Sequence, residues 1–320
     1  MKVFLTGPHA FASVHNEGEL RLSSYLENQG WELTQSDDIA DVVCAVEMPL
    51  NAIHRPKTPR LATKKGLLIV QEPSVVRPYN AAKKRLAQFS SVIEVGRVRN
   101  GAPTRWPALY LNEFDTLSRT EKELRACLIA ANKVSVVPGE LYSLRRAVID
   151  SSTNIDLFGP GWDSPTSTRI KQVVFEVYIG FLAMAKPDFG HLKGFFSRNR
   201  QHFGPVEDKL ATNSRYKVSV VIENSQEYMS EKLLDAISAA SIPVYVGPRV
   251  EDFGIPRELI VQVDPTVESV NAGIQKALEM DYAEWVVRCS RWLNETNLED
   301  WGLENLWKRI HKTLLAIAIK

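Results

Sequence analysis

The stretch YKVSVVIENSQEYMSEKLLDAISAASIPVYVG (216–247) gathers residues whose types and spacing suit the binding of an anion. Glu223, Asn224 and Ser225 end an apolar run, and a buried strand has no use for a carboxylate at its end. Ser230 stands where a helix N-cap belongs, and Glu231 falls in the first turn, which the helix dipole favours. Lys232 opposes that dipole, at a small cost that the stripe Leu233, Ile237 and Ala240 outweighs. Beside a pyrophosphate the lysine becomes favourable, since each charge-assisted bond is worth about 1.5–3 kcal/mol. Spacing alone leaves a second reading open, in which Lys232 pairs with Asp235 or Glu231.

A scaffold for these residues is written in the apolar pattern. Strand-like runs alternate with helical patterns, the signature of parallel α/β sheets. Strands are expected at 3–6, 42–46, 66–70, 92–95 and 108–111, with helices at 19–28 and 79–88. After a polar helix over 117–131, strands are expected at 134–137, 155–158, 217–222, 242–246 and 259–263. Helices are expected at 140–150, 231–240, 266–279 and 282–294. The basic, Pro-punctuated segment 54–66 reads as a loop, either a solvated connection or a lip for an anionic acceptor or lipid headgroup. The block 161–213 is the least regular, either a loop or an insertion carrying substrate contacts. The expected fold class is α/β, two Rossmann-like domains facing across a cleft, at 1–128 and 129–297, with an amphipathic C-terminal helix at 298–320. In that helix Leu303, Leu306, Trp307, Ile310, Leu314 and Ile317 share one face, which either docks on a domain or lies on a membrane surface.

Composition narrows the function classes. The 320 residues are 44% hydrophobic and 24% charged with a net charge of +1, so no overall field favours nucleic acid or an acidic membrane. Cys44, Cys127 and Cys289 are odd in number and far apart, which fits a reducing compartment rather than a disulfide framework. His9, His15, His54, His191, His202 and His311 have no ligand spacing. The opening MKVFLTG reads as a strand rather than a secretory leader, so a cytoplasmic protein is expected. No G-x-G-x-x-G follows that strand, which ranks a dinucleotide oxidoreductase low.

The stretch 216–247 resembles the signature of glycosyltransferase family 10, the alpha-1,3/4-fucosyltransferases. Its general form is Y-K-F-x-L-x-F-E-N-S, a short gap, Y-V-T-E-K, a helix, then P-I/V-Y-x-G. Here Ile222 replaces an aromatic, Met229-Ser230 replaces Val-Thr and Val246 replaces a frequent Trp. Weaker similarity lies in LYSLRRAVIDSSTNIDLFGPGW (141–162) and GLLIVQEPSVVRPYN (66–80).

The resemblance implies a GT-B fold and an inverting transfer of fucose from GDP-fucose to a hydroxyl of an oligosaccharide or lipid-linked glycan. The N-terminal domain would be the acceptor side and the second domain would bind the nucleotide sugar. It implies no metal, and no D-x-D is present; the nearest relative, Glu113 and Asp115, reads as surface. Carried onto this chain, Glu72 is the general base. Lys232 and Arg145, with Arg146 as the alternative, face the phosphates; Glu231 takes the ribose; Asn224 and Tyr228 line the donor. Ser230 keeps the cap hydroxyl. Two alternatives stay open: another nucleotide-hexose donor, and a non-catalytic nucleotide-sugar or glycan binder. The C-terminal helix is the candidate for any peripheral contact with the inner face of a membrane.

Overall fold

In the computed structural model the chain forms two compact units, Met1–Arg105 with Leu303–Lys320, and Trp106–Gly302. All residues are described except 9–20, 52–56, 58, 60–64, 82, 100, 183–186 and 198–201. His9, His15, His54, the start of the expected helix at 19–28, most of the basic loop 54–66 and parts of the irregular block 161–213 lie outside the described residues.

The first unit is built on strands β1 (Lys2–Thr6), β2 (Glu32–Thr34), β3 (Val42–Val46), β4 (Gly66–Val70) and β5 (Ser91–Glu94). All pair in parallel, in the order β2-β1-β3-β4-β5. β3 and β4, VVCAV and GLLIV, are buried at every position, as strands covered on both faces must be. Helix α1 (Leu22–Asn28) packs beside β2, and a hairpin of β6 (Arg97–Arg99) and β7 (Ala102–Thr104) follows β5. No strand forms at 108–111; a helical turn, Leu111–Glu113, is found there instead.

The second unit repeats the plan with β8 (Glu123–Ile129), β9 (Ile155–Phe158), β10 (Tyr216–Ile222), β11 (Ile242–Val246) and β12 (Val261–Gln262). These also pair in parallel, in the order β12-β11-β10-β8-β9. Its helices are α2 (Tyr142–Ser151), α3 (Thr166–Leu182), α4 (Lys209–Ser214), α5 (Lys232–Ser238), α6 (Val267–Glu279) and α7 (Tyr282–Glu295). In each unit the third strand of the chain lies against the first, and the connections leave in opposite directions there. Such a topological switch point is where open α/β sheets hold ligands, beyond the carboxyl ends of the strands.

Three expectations are corrected. The polar helix at 117–131 is β8, whose first half is exposed and polar while Ala126, Cys127 and Leu128 pack between β10 and β9. Cross-strand pairing overrides the helical look of ELRACLI, and 134–137 is a buried but unpaired stretch after it. The division between units therefore falls at Arg105 and Trp106, not at 128. The irregular block contains the 17-residue helix α3, whose adjoining loop is fixed by the buried Arg169 through the carbonyls of Trp162, Phe195 and Ser197.

The last helix, α8 (Leu303–Ile319), belongs to the first unit and is no separate domain. Leu303, Leu306, Trp307, Ile310, Leu314 and Ile317 are all buried, and the helix packs against β3, β4, β5 and α1. Trp307 meets Tyr25 at a ring separation of 5.4 Å, and Lys65 Nζ donates to the Ala318 carbonyl at 3.2 Å. The apolar face is therefore docked on the first unit, the first of the two readings the sequence offered for it. Among the described residues no helix is long and apolar enough to cross a membrane.

Candidate functional site

The switch point of the second unit lies between the carboxyl ends of β8 and β10, and the signature residues sit on it. Glu223 continues the ladder past β10, its N–H donating to the Val246 carbonyl at 2.9 Å. The loop after β8 then joins the loop after β10: Leu141 N–H donates to the Asn224 carbonyl at 3.0 Å, and Glu140 bridges Ser225 in antiparallel sense. Gly247 lies against this edge, where a Cβ would collide with the Tyr245 hydroxyl and the Glu223 side chain.

Glu223 is wholly buried and holds the following loop. Its Oε1 accepts from the Ser230 N–H at 2.8 Å and its Oε2 from the Ser230 hydroxyl at 2.7 Å. Burial raises its pKa above the ordinary carboxylate value, against the pull of Lys232 and of the Ser230 bonds. The hydroxyl of Ser230 in turn accepts from Lys232 Nζ at 2.9 Å. Ser230 is thus a link between a buried carboxylate and the lysine. The N-cap position is taken by Glu231, in helical conformation and with no side-chain cap bond. The expected cap is corrected: the helix begins one residue later than a Ser230 cap requires, and only a long 3.4 Å contact from Lys232 N–H reaches Ser230 Oγ.

Glu231 is paired with Lys232 and with Lys209 of α4, each at 3.9 Å. Of the two partners foreseen for Lys232, Glu231 is therefore in ion-pair range. Asp235, one turn on, shares a small cavity of about 40 Å³ with Lys209, Lys232, Asn213 and the end of β8. Burial, with Glu231 adding to it, pushes the Asp235 carboxyl up to about 7.

Arg145 reaches the same edge from α2. Its Nε and Nη2 donate to the Ile222 carbonyl at 3.0 and 2.6 Å, and Nη2 also donates to Asn224 Oδ1 at 2.9 Å. Its guanidinium lies over the Tyr142 ring, and burial lowers its pKa while Tyr142, Glu223 and Glu140 pull it back up. Arg146 points elsewhere. It donates to the carbonyls of Lys133 at 2.6 Å and Lys193 at 3.1 Å, and to that of His191, beside the Phe195 ring. Of the two adjacent arginines, Arg145 is thus the one that reaches the loop after β10.

Tyr228, in the loop between β10 and α5, is buried at 2% exposure. Glu72 lies in the first unit, directly after β4 and half-buried, at the carboxyl edge of that sheet.

Several residues escaped the sequence reading. The Glu140 carboxylate accepts from the N–H groups of Tyr142 at 2.6 Å and Ser143 at 3.0 Å, and from the Ser143 hydroxyl, filling the N-terminus of α2 with an internal anion. Lys209 as a neighbour of Glu231, and Glu47 beside Glu72, left no signal in the sequence. Among the described residues no three His, Cys, Asp or Glu side chains gather as a metal site.

No protein-family model and no curated protein matches this sequence. Among solved structures the chain is similar to an alpha1,3-fucosyltransferase at 14% identity and a TM-score of 0.44, over 90% of this chain and 80% of that one. It is similar to a UDP-forming trehalose-phosphate synthase from Burkholderia xenovorans at 10% identity and a TM-score of 0.45, over 93% and 71% of the two chains. TarM is similar at 11% identity and a TM-score of 0.43 over 94% of this chain, which spans about half of TarM (54%).

Proposed function

We propose that the chain is a glycosyltransferase whose second unit holds the diphosphate of a nucleotide sugar between Arg145 and Lys232. The observation that carries this reading is the fixing of both cations by one strand end at the switch point. Arg145 is held by the Ile222 carbonyl and Asn224, and Lys232 by Ser230, itself held by Glu223. Positive charge preorganised where a diphosphate leaves is the largest single lever on such a transfer. The wholly buried Glu223 lies in electrostatic reach of both cations.

The finer reading, supported by the resemblance of 216–247, is inverting transfer from GDP-fucose to a hydroxyl of an oligosaccharide or lipid-linked glycan. The acceptor oxygen attacks the anomeric carbon from the face opposite the diphosphate, its proton passes to the Glu72 carboxylate, and GDP leaves with the bonding electrons. Glu231 accepts from the ribose hydroxyls, and the two fixed cations supply the charge stabilisation, so the transfer is metal-independent. Ile222 and Val246, standing where the resemblance expects aromatics, permit a second reading with another GDP- or UDP-hexose as the donor.

The test is a melting curve with GDP, followed by turnover with GDP-fucose, GDP-mannose and UDP-hexoses in EDTA. A rise in Tm with GDP and turnover of one donor support the reading. No shift at millimolar GDP sinks the nucleotide site, and GDP binding without transfer or hydrolysis of any donor leaves a binding protein.

A further inference from the structure

At the switch point of the first unit, the residue after β3 is Glu47, and its conformation is unusual. It is wholly buried and has φ +66°, a left-handed conformation that side chains other than Asn, Asp or Gly seldom adopt. The turn sends its carboxylate across to the end of β4. Oε1 accepts from the N–H groups of Gln71 at 2.5 Å and Glu72 at 2.6 Å, and Oε2 accepts from Asn80 Nδ2 at 2.9 Å. Asn80 Nδ2 also donates to the Glu72 carbonyl at 2.7 Å. The peptide groups on both sides of Glu72 are therefore clamped, the N–H by Glu47 and the C=O by an amide that Glu47 itself holds. Pro73 fixes the next backbone angle and accepts from the N–H groups of Val76 and Arg77 at 2.9 Å.

We propose that Glu47 is a positioning residue for Glu72, a role that rests on the reading of Glu72 as the general base. Ending a strand needs neither a buried carboxylate nor a left-handed glutamate; a glycine would make the same turn. What the carboxylate adds is a backbone at Glu72 determined from both sides, while the Glu72 side chain projects from it. A proton acceptor must be held to a fraction of an ångström, and a misplacement near 1 Å costs a rate factor of roughly a hundred.

The test is a double-mutant cycle on the full chain, with turnover of the donor identified above as the readout. Glu47→Gln keeps one acceptor oxygen but turns an NH2 toward a donor, so kcat should fall by roughly 10–100-fold, with the GDP dissociation constant unchanged. In a Glu72→Gln background the same change should have almost no further effect, because a residue acting only through Glu72 has nothing left to act on. Asn80→Ala, which releases the Glu72 carbonyl and removes the donor to Glu47 Oε2, should show the same non-additivity and replaces Glu47→Gln if that variant does not fold. Losses that multiply in the double mutant, or a lowered Tm with kcat intact, overturn the positioning role. Wild-type turnover in Glu72→Gln alone overturns the general base and leaves Glu47 a structural clamp.

Discussion

Glu223 and Ser230 are bound twice over, the carboxylate taking both the backbone N–H at 2.8 Å and the hydroxyl at 2.7 Å of the serine. The six-residue connection between them is thereby tied to the end of β10, and Lys232 is aimed by the serine it touches. Glu223→Ala leaves two buried donors without acceptors, each at about 1–3 kcal/mol. The urea midpoint should fall accordingly, and GDP should bind more weakly because Lys232 loses its anchor. An unchanged midpoint contradicts the tie.

Arg145 and Arg146 should separate by assay. Arg145→Ala should weaken GDP binding at least about tenfold, the worth of one charge-assisted bond of 1.5 kcal/mol or more. Arg146→Ala removes donors from three part-buried carbonyls and should lower stability by about 2–4 kcal/mol while a folded fraction binds GDP normally. Calorimetry with GDP beside urea unfolding reads both, and the reverse pattern would transfer the phosphate role to Arg146.

Glu72→Gln keeps the shape and removes the proton acceptor. Turnover should fall about 10²–10⁴-fold with GDP affinity unaltered. A rate equal to the wild type removes Glu72 from the mechanism.

Asp235 makes stability depend on pH in a stated direction. Its folded pKa is raised to about 7 from 3.8, so between those values the folded chain holds a proton that the unfolded chain has lost. Wild-type stability from this group therefore declines as pH rises from 4 to 7, by at most about 4 kcal/mol, at 1.36 kcal/mol per pK unit. Asp235→Asn removes the titration, so its Tm advantage over wild type should be larger at pH 8 than at pH 5. A difference constant with pH refutes the assignment.

Leu314 is wholly buried on α8 against the first sheet. Leu314→Ala should cost about 2–5 kcal/mol in urea unfolding. A cost near zero would mean that the helix is not docked in solution.

Much of the framework was open to reading because its strands are continuous apolar runs. The strands at 42–46, 66–70 and 242–246 fall where expected, since a strand buried on both faces shows no polar alternation to confuse it, and that at 155–158 does so although Asp156 interrupts its apolar run. β8 was misread because only its second half is buried; the first carries Glu123, Leu124 and Arg125 toward solvent and takes its conformation from its neighbours.

At the candidate site the same division holds. The sequence by itself determined the chemistry available, a carboxylate, amide, hydroxyl and lysine spaced across a strand end, a loop and a helix start, because residue type and strand–helix punctuation are local properties. Tertiary structure alone decided the assignments. Adjacent residues on a helix point about 100° apart, so whether Arg145 or Arg146 meets the site depends on what each side packs against. Glu47 and Glu72 are 25 residues apart and meet only because β3 and β4 are neighbours in the sheet. The lysine that looked misplaced in its helix is held by a serine and a buried glutamate, contacts that exist only once β10 and α5 are folded onto each other.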